Sequence, residues 1–247
     1  IKNRIKTFIQ YFYDFNDVIN ELVKLIISFT PVAVFCILAK TFSTQGIETI
    51  MPLAGYFFTV VFVLLFHFVF TFSILIKLFT VLNPVKFFQN LKDVVIFTFS
   101  TSSSSASIPF TLKAAEEKYG IDKSISTFTV PLGATINMDG TAIMQGCATF
   151  FLASLYGIDL GLNEIITIVI TATIASIGTA GIPSAGIIML TVIFTQIGIP
   201  LEGITLLLGV DRLLDMMRTS VNVSGDICIS CVIASSERKI NEKLFNS

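Results

Sequence analysis

An all-α membrane protein, built as an inverted repeat in which a helical hairpin is followed by a spanning helix in each half, is the fold class the sequence predicts. Three observations predict it. The chain is 53% hydrophobic and 13% charged over 247 residues, with a mean hydropathy of +0.84, more apolar than a soluble core of this size absorbs. Several uncharged runs reach the ~20 residues that a helix needs to cross a bilayer. Two of those runs are broken at their centres by residues that interrupt helices. The net charge of −1 and the absence of any basic groove in the sequence exclude nucleic acid as a partner.

Taken in order, Lys24–Lys40 carries LIISFTPVAVFCILA. A spanning helix tolerates Pro31 where neighbours satisfy the freed carbonyl, so a first helix is expected over 18–43. Thr49–Ile76 is interrupted only by His67, the sole histidine, and gives a second helix over 49–78. His67 sits among phenylalanines and reads as a packed or lipid-edge residue. Val94–Leu112 is uncharged and of spanning length, yet TSSSSASIPF at 101–110 sets six hydroxyls within seven residues. It reads as a hairpin over 84–119 whose second half-helix begins near Ala106. A helix over 124–156 holds NMDGT (137–141) at its middle, where Gly140 after Asn137 and Asp139 predicts local unwinding. Ile165–Leu201 is uncharged, too long for one span and too short for two; GTAGIPSAG (178–186) has three glycines and a proline at its centre, and a second hairpin over 163–199 follows. The last helix is expected over 204–235.

Basic residues give the orientation, because cytoplasmic loops collect Lys and Arg. Lys2, Arg4 and Lys6, then Lys77, Lys86 and Lys92, then Lys113, Lys118 and Lys123, then Arg238, Lys239 and Lys243 form four groups. All four share the cytoplasmic side if Val94–Leu112 enters and leaves on one face, which places the C-terminus in the cytoplasm. Hairpin plus helix then occurs twice in opposite orientations, the architecture that sets substrate and ions where broken helices meet. Three regions follow: two helices over 1–83, a core over 84–236 and a tail over 237–247.

Charged residues inside a membrane are costly and mark functional sites. In DRLLDMMRTSVNVSGD, at ~100° per residue, Asp211, Asp215, Arg218, Thr219, Asn222 and Asp226 share one face. Acids outnumber bases there, and with Asp139 they call for a cation. Carboxylates, amide oxygens and freed carbonyls suit hard, oxygen-seeking ions, with carboxylate protonation as the competing source of positive charge. Arg218 offers a fork matched to a carboxylate, either that of Asp215 or an anionic group of a ligand. The serine-rich tip exposes helix N–H groups to an anion. Cys228 and Cys231 form a CxxC without a nearby histidine and read as small packing residues.

Together, TSSSSASIP, GATINMDGT, ASIGTAGIPSAG and DRLLDMMRTSVNVSGD, in that order over nearly the whole chain, resemble the dicarboxylate/amino acid:cation symporters, which include the sodium-coupled glutamate and aspartate transporters. The resemblance implies an elevator transporter, trimeric when complete, in the plasma or inner membrane. The two hairpins and last helices would form its mobile part, and the glycines of 178–186 would let the outer hairpin gate. It also implies that Arg218 holds the substrate's side-chain carboxylate and Asp215 its amino group. Asn222, Ser104 and the hairpin backbones at Ser103, Gly181 and Gly186 would hold the main-chain carboxylate, with Thr141 and Thr219 nearby. Asp226, Asn137, Asn222 and the Gly133 carbonyl would form one sodium site. Thr135, Ser176, Ile177 and Thr179 beside the Met138 sulfur would form a second, and Asp139 with Asn137 part of a third. No cofactor beyond the coupling ions is implied.

The chain begins with Ile and lacks the family's earlier helices, so it is expected to be the C-terminal portion of a longer protein. Family members selective for acidic amino acids often carry another arginine where Ser102 or Met216 stands here, which bears on potassium counter-transport. Asp226, which proton-coupled relatives tend to lack, favours sodium. Proton-coupled dicarboxylate or neutral amino acid symport is the nearest alternative. An intramembrane hydrolase would need a base beside a serine or paired aspartates, and a passive channel would need no ion coupling.

Overall fold

The computed structural model describes residues 50–246, together with scattered positions between 10 and 43. The chain forms two compact units, Ile1–Ile47 and Glu48–Ser247. In the first, the described positions are helical apart from a turn at Phe29. The helix expected over 18–43 falls largely outside the described residues.

The second unit is helical throughout. The second expected span is α1 (Ile50–Phe66), a π-helical turn (His67–Thr71) and α2 (Phe72–Phe79); Met51–Phe79 is long and apolar enough to cross a membrane. The first hairpin is α3 (Pro84–Thr101) and α4 (Ser104–Glu117), whose arms pack on each other. Asn83 caps α3 by accepting the Val85 N–H at 2.8 Å, with Pro84 at the first helical position, where its missing N–H costs nothing. Ser102 closes α3 in the left-handed region, φ 51°. α4 begins at Ser104, two residues before the expected Ala106, because the Ser103 hydroxyl accepts the Ala106 N–H at 3.1 Å and serves as its N-cap.

The helix expected over 124–156 is two helices, α5 (Lys123–Ile136) and α6 (Asp139–Leu155). Asp122 caps α5, accepting the Ser124 hydroxyl at 2.5 Å and its N–H at 2.8 Å, and these bonds hold its carboxyl below the usual carboxylate range. The break falls at Asn137 and Met138, before Gly140 and not at it. Gly140 lies in the first turn of α6 and permits close approach: a Cβ there would stand 2.9 Å from both the Arg218 carbonyl and Asn222 Oδ1.

The second hairpin is α7 (Leu162–Ile177), a seven-residue tip, the single turn α8 (Ala185–Ile188) and α9 (Leu190–Ile197). α10 (Gly203–Ser236) runs 34 residues through the middle of the unit and packs against α1 to α6. Beyond it the chain turns back. Ile240 pairs with Ile121 in an isolated β-bridge, and no strand occurs among the described residues. The closing turn α11 (Glu242–Phe245) buries Phe245 completely beside the Tyr119 ring. Cys228 and Cys231 are free and fully buried in the core.

Candidate functional site

The polar face of α10 is inside the protein. Asp211, Asp215, Arg218, Thr219, Asn222 and Asp226 are each at least 95% buried, so each must find partners. Arg218 donates from Nη2 to Asp215 Oδ1. Its Nη1 lies 3.7 Å from Asp211 Oδ1, beyond hydrogen-bond reach, and has no hydrogen-bond partner among the described residues. The other Asp215 oxygen accepts the Ser184 N–H from the second hairpin's tip at 2.8 Å. The guanidinium lies against Gly186, where a Cβ would come within 3.1 Å of Cζ and Nη1 and 3.0 Å of Thr141 Cγ2. A side chain there would have to displace the guanidinium by a few tenths of an ångström. Gln145 donates to the Gly186 carbonyl at 3.1 Å and fastens it to α6.

The break between α5 and α6 is held from α10. Asn222 Oδ1 accepts the Gly140 N–H at 2.7 Å, while its Nδ2 donates to Thr141 Oγ1 at 3.1 Å and lies 3.2 Å from Met138 Sδ. Asn137 Nδ2 donates to Asp226 Oδ1 at 2.8 Å and to the Asn222 carbonyl at 3.1 Å. Two glycines make this convergence possible. A Cβ on Gly133 would overlap the Asp226 carboxylate, and one on Gly225 would stand 2.7 Å from Asn137 Nδ2 and 3.2 Å from Asp139 Oδ2. The Asp226 carboxylate, the side-chain amides of Asn137 and Asn222 and the Asn222 carbonyl thus gather at a helix interruption, residue types that can supply oxygens to a hard cation.

The residues named from the sequence for the substrate come together with one exception. Ser104, Thr141, Gly181, Gly186, Asp215, Arg218, Thr219 and Asn222, with Met138 and Thr179, line one small cavity. It offers about 10 Å³ for the centre of a water-sized sphere, room for one water. Ser103 does not line it; its hydroxyl donates to the Gly181 carbonyl at 2.7 Å and joins the two hairpin tips. Gly181 abuts α5, where a Cβ would be 2.9 Å from the Ala134 carbonyl.

Of the residues named for the second ion cluster, Ser176 and Thr179 are buried, with hydroxyls bonded to the Thr173 and Ala175 carbonyls. Thr135 and Ile177 are exposed, and the Thr135 hydroxyl bonds the Leu132 carbonyl at 2.7 Å. α7 packs on α5 and brings the two stretches to neighbouring positions.

His67 departs from the expectation of a packed or lipid-edge residue. Its Nε2 lies 2.7 Å from Asp139 Oδ2. The missed signal was available, since a lone ionisable side chain in an otherwise uncharged span requires a polar partner. Gln145 and the Ser184 N–H were also missed; the latter is backbone and has no residue signature.

The family model for the sodium:dicarboxylate symporter family matches residues 1–236. The chain belongs to the sodium:dicarboxylate symporter family. Among its relatives, excitatory amino acid transporter 1 of Rattus norvegicus is 43% identical over 219 residues, 88% of this chain and 40% of that protein. Excitatory amino acid transporter 3 of Mus musculus is 37% identical over 237 residues, 96% of this chain and 45% of the relative. Excitatory amino acid transporter 2 of Homo sapiens is 38% identical over 226 residues, covering 91% and 39%. The chain therefore spans about two fifths of the length of these relatives. The family and these relatives are membrane transporters and not enzymes, so the hydrolase alternative falls away.

Proposed function

We propose that the protein is a sodium-coupled symporter of acidic amino acids, aspartate or glutamate, working by an elevator mechanism in the plasma or inner membrane as a homotrimer. The observation that carries this reading is Arg218: a guanidinium at least 95% buried, with Nη1 free of hydrogen bonds among the described residues, beside a cavity walled by both hairpin tips. A buried cation keeps an unsatisfied donor only at substantial cost. A ligand carboxylate would relieve that cost. The relatives' name, excitatory amino acid transporter, supports the same substrate class.

In this reading residues 84–236 form the transport domain, with α3–α4 and α7–α9 as re-entrant hairpins and the C-terminal residues 237–247 in the cytoplasm. Arg218 takes the side-chain carboxylate and Asp215 the substrate ammonium. Asp215 already accepts the Ser184 N–H, so an arriving ammonium competes with the hairpin tip for the same carboxylate. Loss of that bond loosens α8. A cavity with room for one water cannot admit an amino acid unless the second hairpin withdraws, which makes α7–α9 the proposed gate. The main-chain carboxylate then meets Ser104, Asn222, Thr141 and Thr219 and the backbones of Ser103, Gly181 and Gly186. Sodium ions, as co-transported cargo, suit the oxygen donors of Asp226, Asn137, Asn222 and Gly133 at one site, the backbone carbonyls of Thr135, Ser176, Ile177 and Thr179 beside the Met138 sulfur at a second, and Asp139 with Asn137 at a third.

One observation favours neutral amino acids instead. Arg218 is already paired with Asp215, and Ser102 and Met216 supply no second arginine. Binding of L-aspartate, L-glutamate and L-serine to the purified full-length gene product, across a sodium series with potassium as control, decides. Steep sodium-dependent binding of the acidic pair, lost at least ~100-fold in Arg218→Cys while L-serine changes little, is the expected result. Equal loss of acidic and neutral ligands removes the carboxylate clamp, and sodium-independent binding moves the coupling to protons.

A further inference from the structure

The pairing of His67 with Asp139 is absorbed by none of the roles above. α1 and α2 are one long helix except at His67–Thr71, where the backbone forms a π-helical turn. Such turns are rare and concentrate at functional sites. This one sets the imidazole edge-on to the Phe72 ring, at a centroid distance of 5.2 Å and an interplanar angle of 71°, and aims Nε2 at Asp139 Oδ2, 2.7 Å away. With Asp139 ionised the acceptor is a carboxylate, and Nε2 then carries the hydrogen whether the ring is neutral or charged.

The other Asp139 oxygen accepts the Gly140 N–H at 2.9 Å. Each carboxylate oxygen therefore has one fixed donor, and the group cannot swing freely about its last torsion. Gly225, lacking a side chain, leaves Asp139 Oδ2, Asn137 Nδ2 and Phe72 Cζ converging on one point. Asn137 in turn holds Asp226. His67 therefore holds Asp139 on the same face of Gly225 as Asn137, beside the polar cluster at the α5–α6 break.

We propose that His67 is a positioning residue for the coupling-ion site: its Nε2–H holds the Asp139 carboxylate in the orientation that presents it beside Asn137 and Asp226. The proposal rests on reading that cluster as a sodium site. Donors that orient a ligating carboxylate from outside affect ion affinity although they never touch the ion. The competing interpretation is plain charge balance for a part-buried acid, and it predicts a loss of folding stability without a change in sodium response.

The test uses the full-length gene product and follows sodium-dependent L-aspartate binding in His67→Leu, His67→Asn and His67→Gln. Glutamine sets its amide nitrogen at the reach of Nε2; asparagine falls short, and leucine has no donor. The sodium concentration for half-maximal binding should rise about five- to tenfold in His67→Leu and His67→Asn and stay within about twofold of wild type in His67→Gln. Aspartate affinity at saturating sodium should be unchanged in all three. Should His67→Leu fail to fold, the Asn and Gln pair carries the comparison alone. A wild-type protein that responds to sodium, with variants that share its half-saturation, overturns the role of His67 and leaves the symporter reading intact. A wild-type protein whose aspartate binding ignores sodium overturns both.

Discussion

The two hairpins share a plan and differ in how they are held. Each has two helical arms and a tip containing a serine in the left-handed region, Ser102 at φ 51° and Ser184 at φ 59°. The first is fastened along its length. Thr98 and Ser220 share a hydrogen bond between α3 and α10, Tyr119 donates to the Phe87 carbonyl at 2.9 Å, and Asn90 donates to the carbonyls of Lys118 and Phe245. The returning C-terminus closes its base through Asp122 N–H to Lys239 and Asn241 N–H to Gly120. The second hairpin has one side-chain bond between its arms, Thr171 to Gln196. Its tip is tied through Ser184 to Asp215, Gly181 to Ser103 and Ser105, and Gly186 to Gln145. At a net 0.5–1.5 kcal/mol for each bond, a few kcal/mol hold the second tip, within what an arriving ligand can offset. The proposed gate is the hairpin that is least tied, and the comparison can be broken by loosening the first or tightening the second.

The largest expected effect is at the base of the first hairpin. Phe245→Ala empties a fully buried aromatic site and should cost about 3–5 kcal/mol, read as a lower midpoint of thermal unfolding in detergent. If the midpoint is unchanged, the C-terminal clip does not hold the base. Next comes a matched pair of glycines with positive φ. Gly120, at φ 65°, would set a Cβ 2.6 Å from the Asn241 carbonyl oxygen, whereas Gly198, at φ 80° after α9, has nothing within 4 Å. Left-handed strain of about 1–2 kcal/mol applies to Ala at both, and only Gly120→Ala adds a clash with backbone. It should therefore be the more destabilising by at least about 1 kcal/mol. Equal losses would mean that the C-terminal segment yields as easily as open solvent.

Ser103→Ala removes both an N-cap and the bond to Gly181. About 1 kcal/mol of stability should be lost. Because that bond joins the first hairpin to the proposed gate, bound aspartate should also exchange a few-fold faster, as measured by isotope dilution. A stability loss with unchanged exchange would confine Ser103 to capping.

Much of this was legible in the sequence, for reasons that can be located. Glycine, proline and hydroxyl clusters mark breaks because they act through local backbone preferences. The tips at 102–103 and 178–184 and the interruption at 137–138 accordingly fall where NMDGT, TSSSS and GTAGIPSAG stand. The shared face of Asp211, Asp215, Arg218, Asn222 and Asp226 follows from helical period alone. Contacts that depend on tertiary approach were not legible. His67 and Asp139 are 72 positions apart, and the Ser184 N–H is a backbone group. Gly225 acts through what it lacks, and the clip of Ile240 on Ile121 joins two short polar connections without periodicity. Ser103 reads as one serine among four; only its direction, toward Gly181, sets it apart.

The smallest effect gives the sharpest comparison, because the same substitution can be made at both tips. Ser102 and Ser184 each carry left-handed strain that glycine does not. Against that relief stands the greater freedom that glycine loses on folding, which leaves a net gain of about 0.5–1 kcal/mol at either site. In Ser102→Gly the gain should appear only as stability, since the proposed gating leaves the tip of the first hairpin in place relative to α10. In Ser184→Gly it should favour the closed tip over the withdrawn one, and bound aspartate should leave about two- to fivefold more slowly. Slower release in Ser102→Gly with none in Ser184→Gly would reverse the assignment and make the serine-rich hairpin the gate. Slower release in both would mean that the two tips, joined through Ser103 and Gly181, open together.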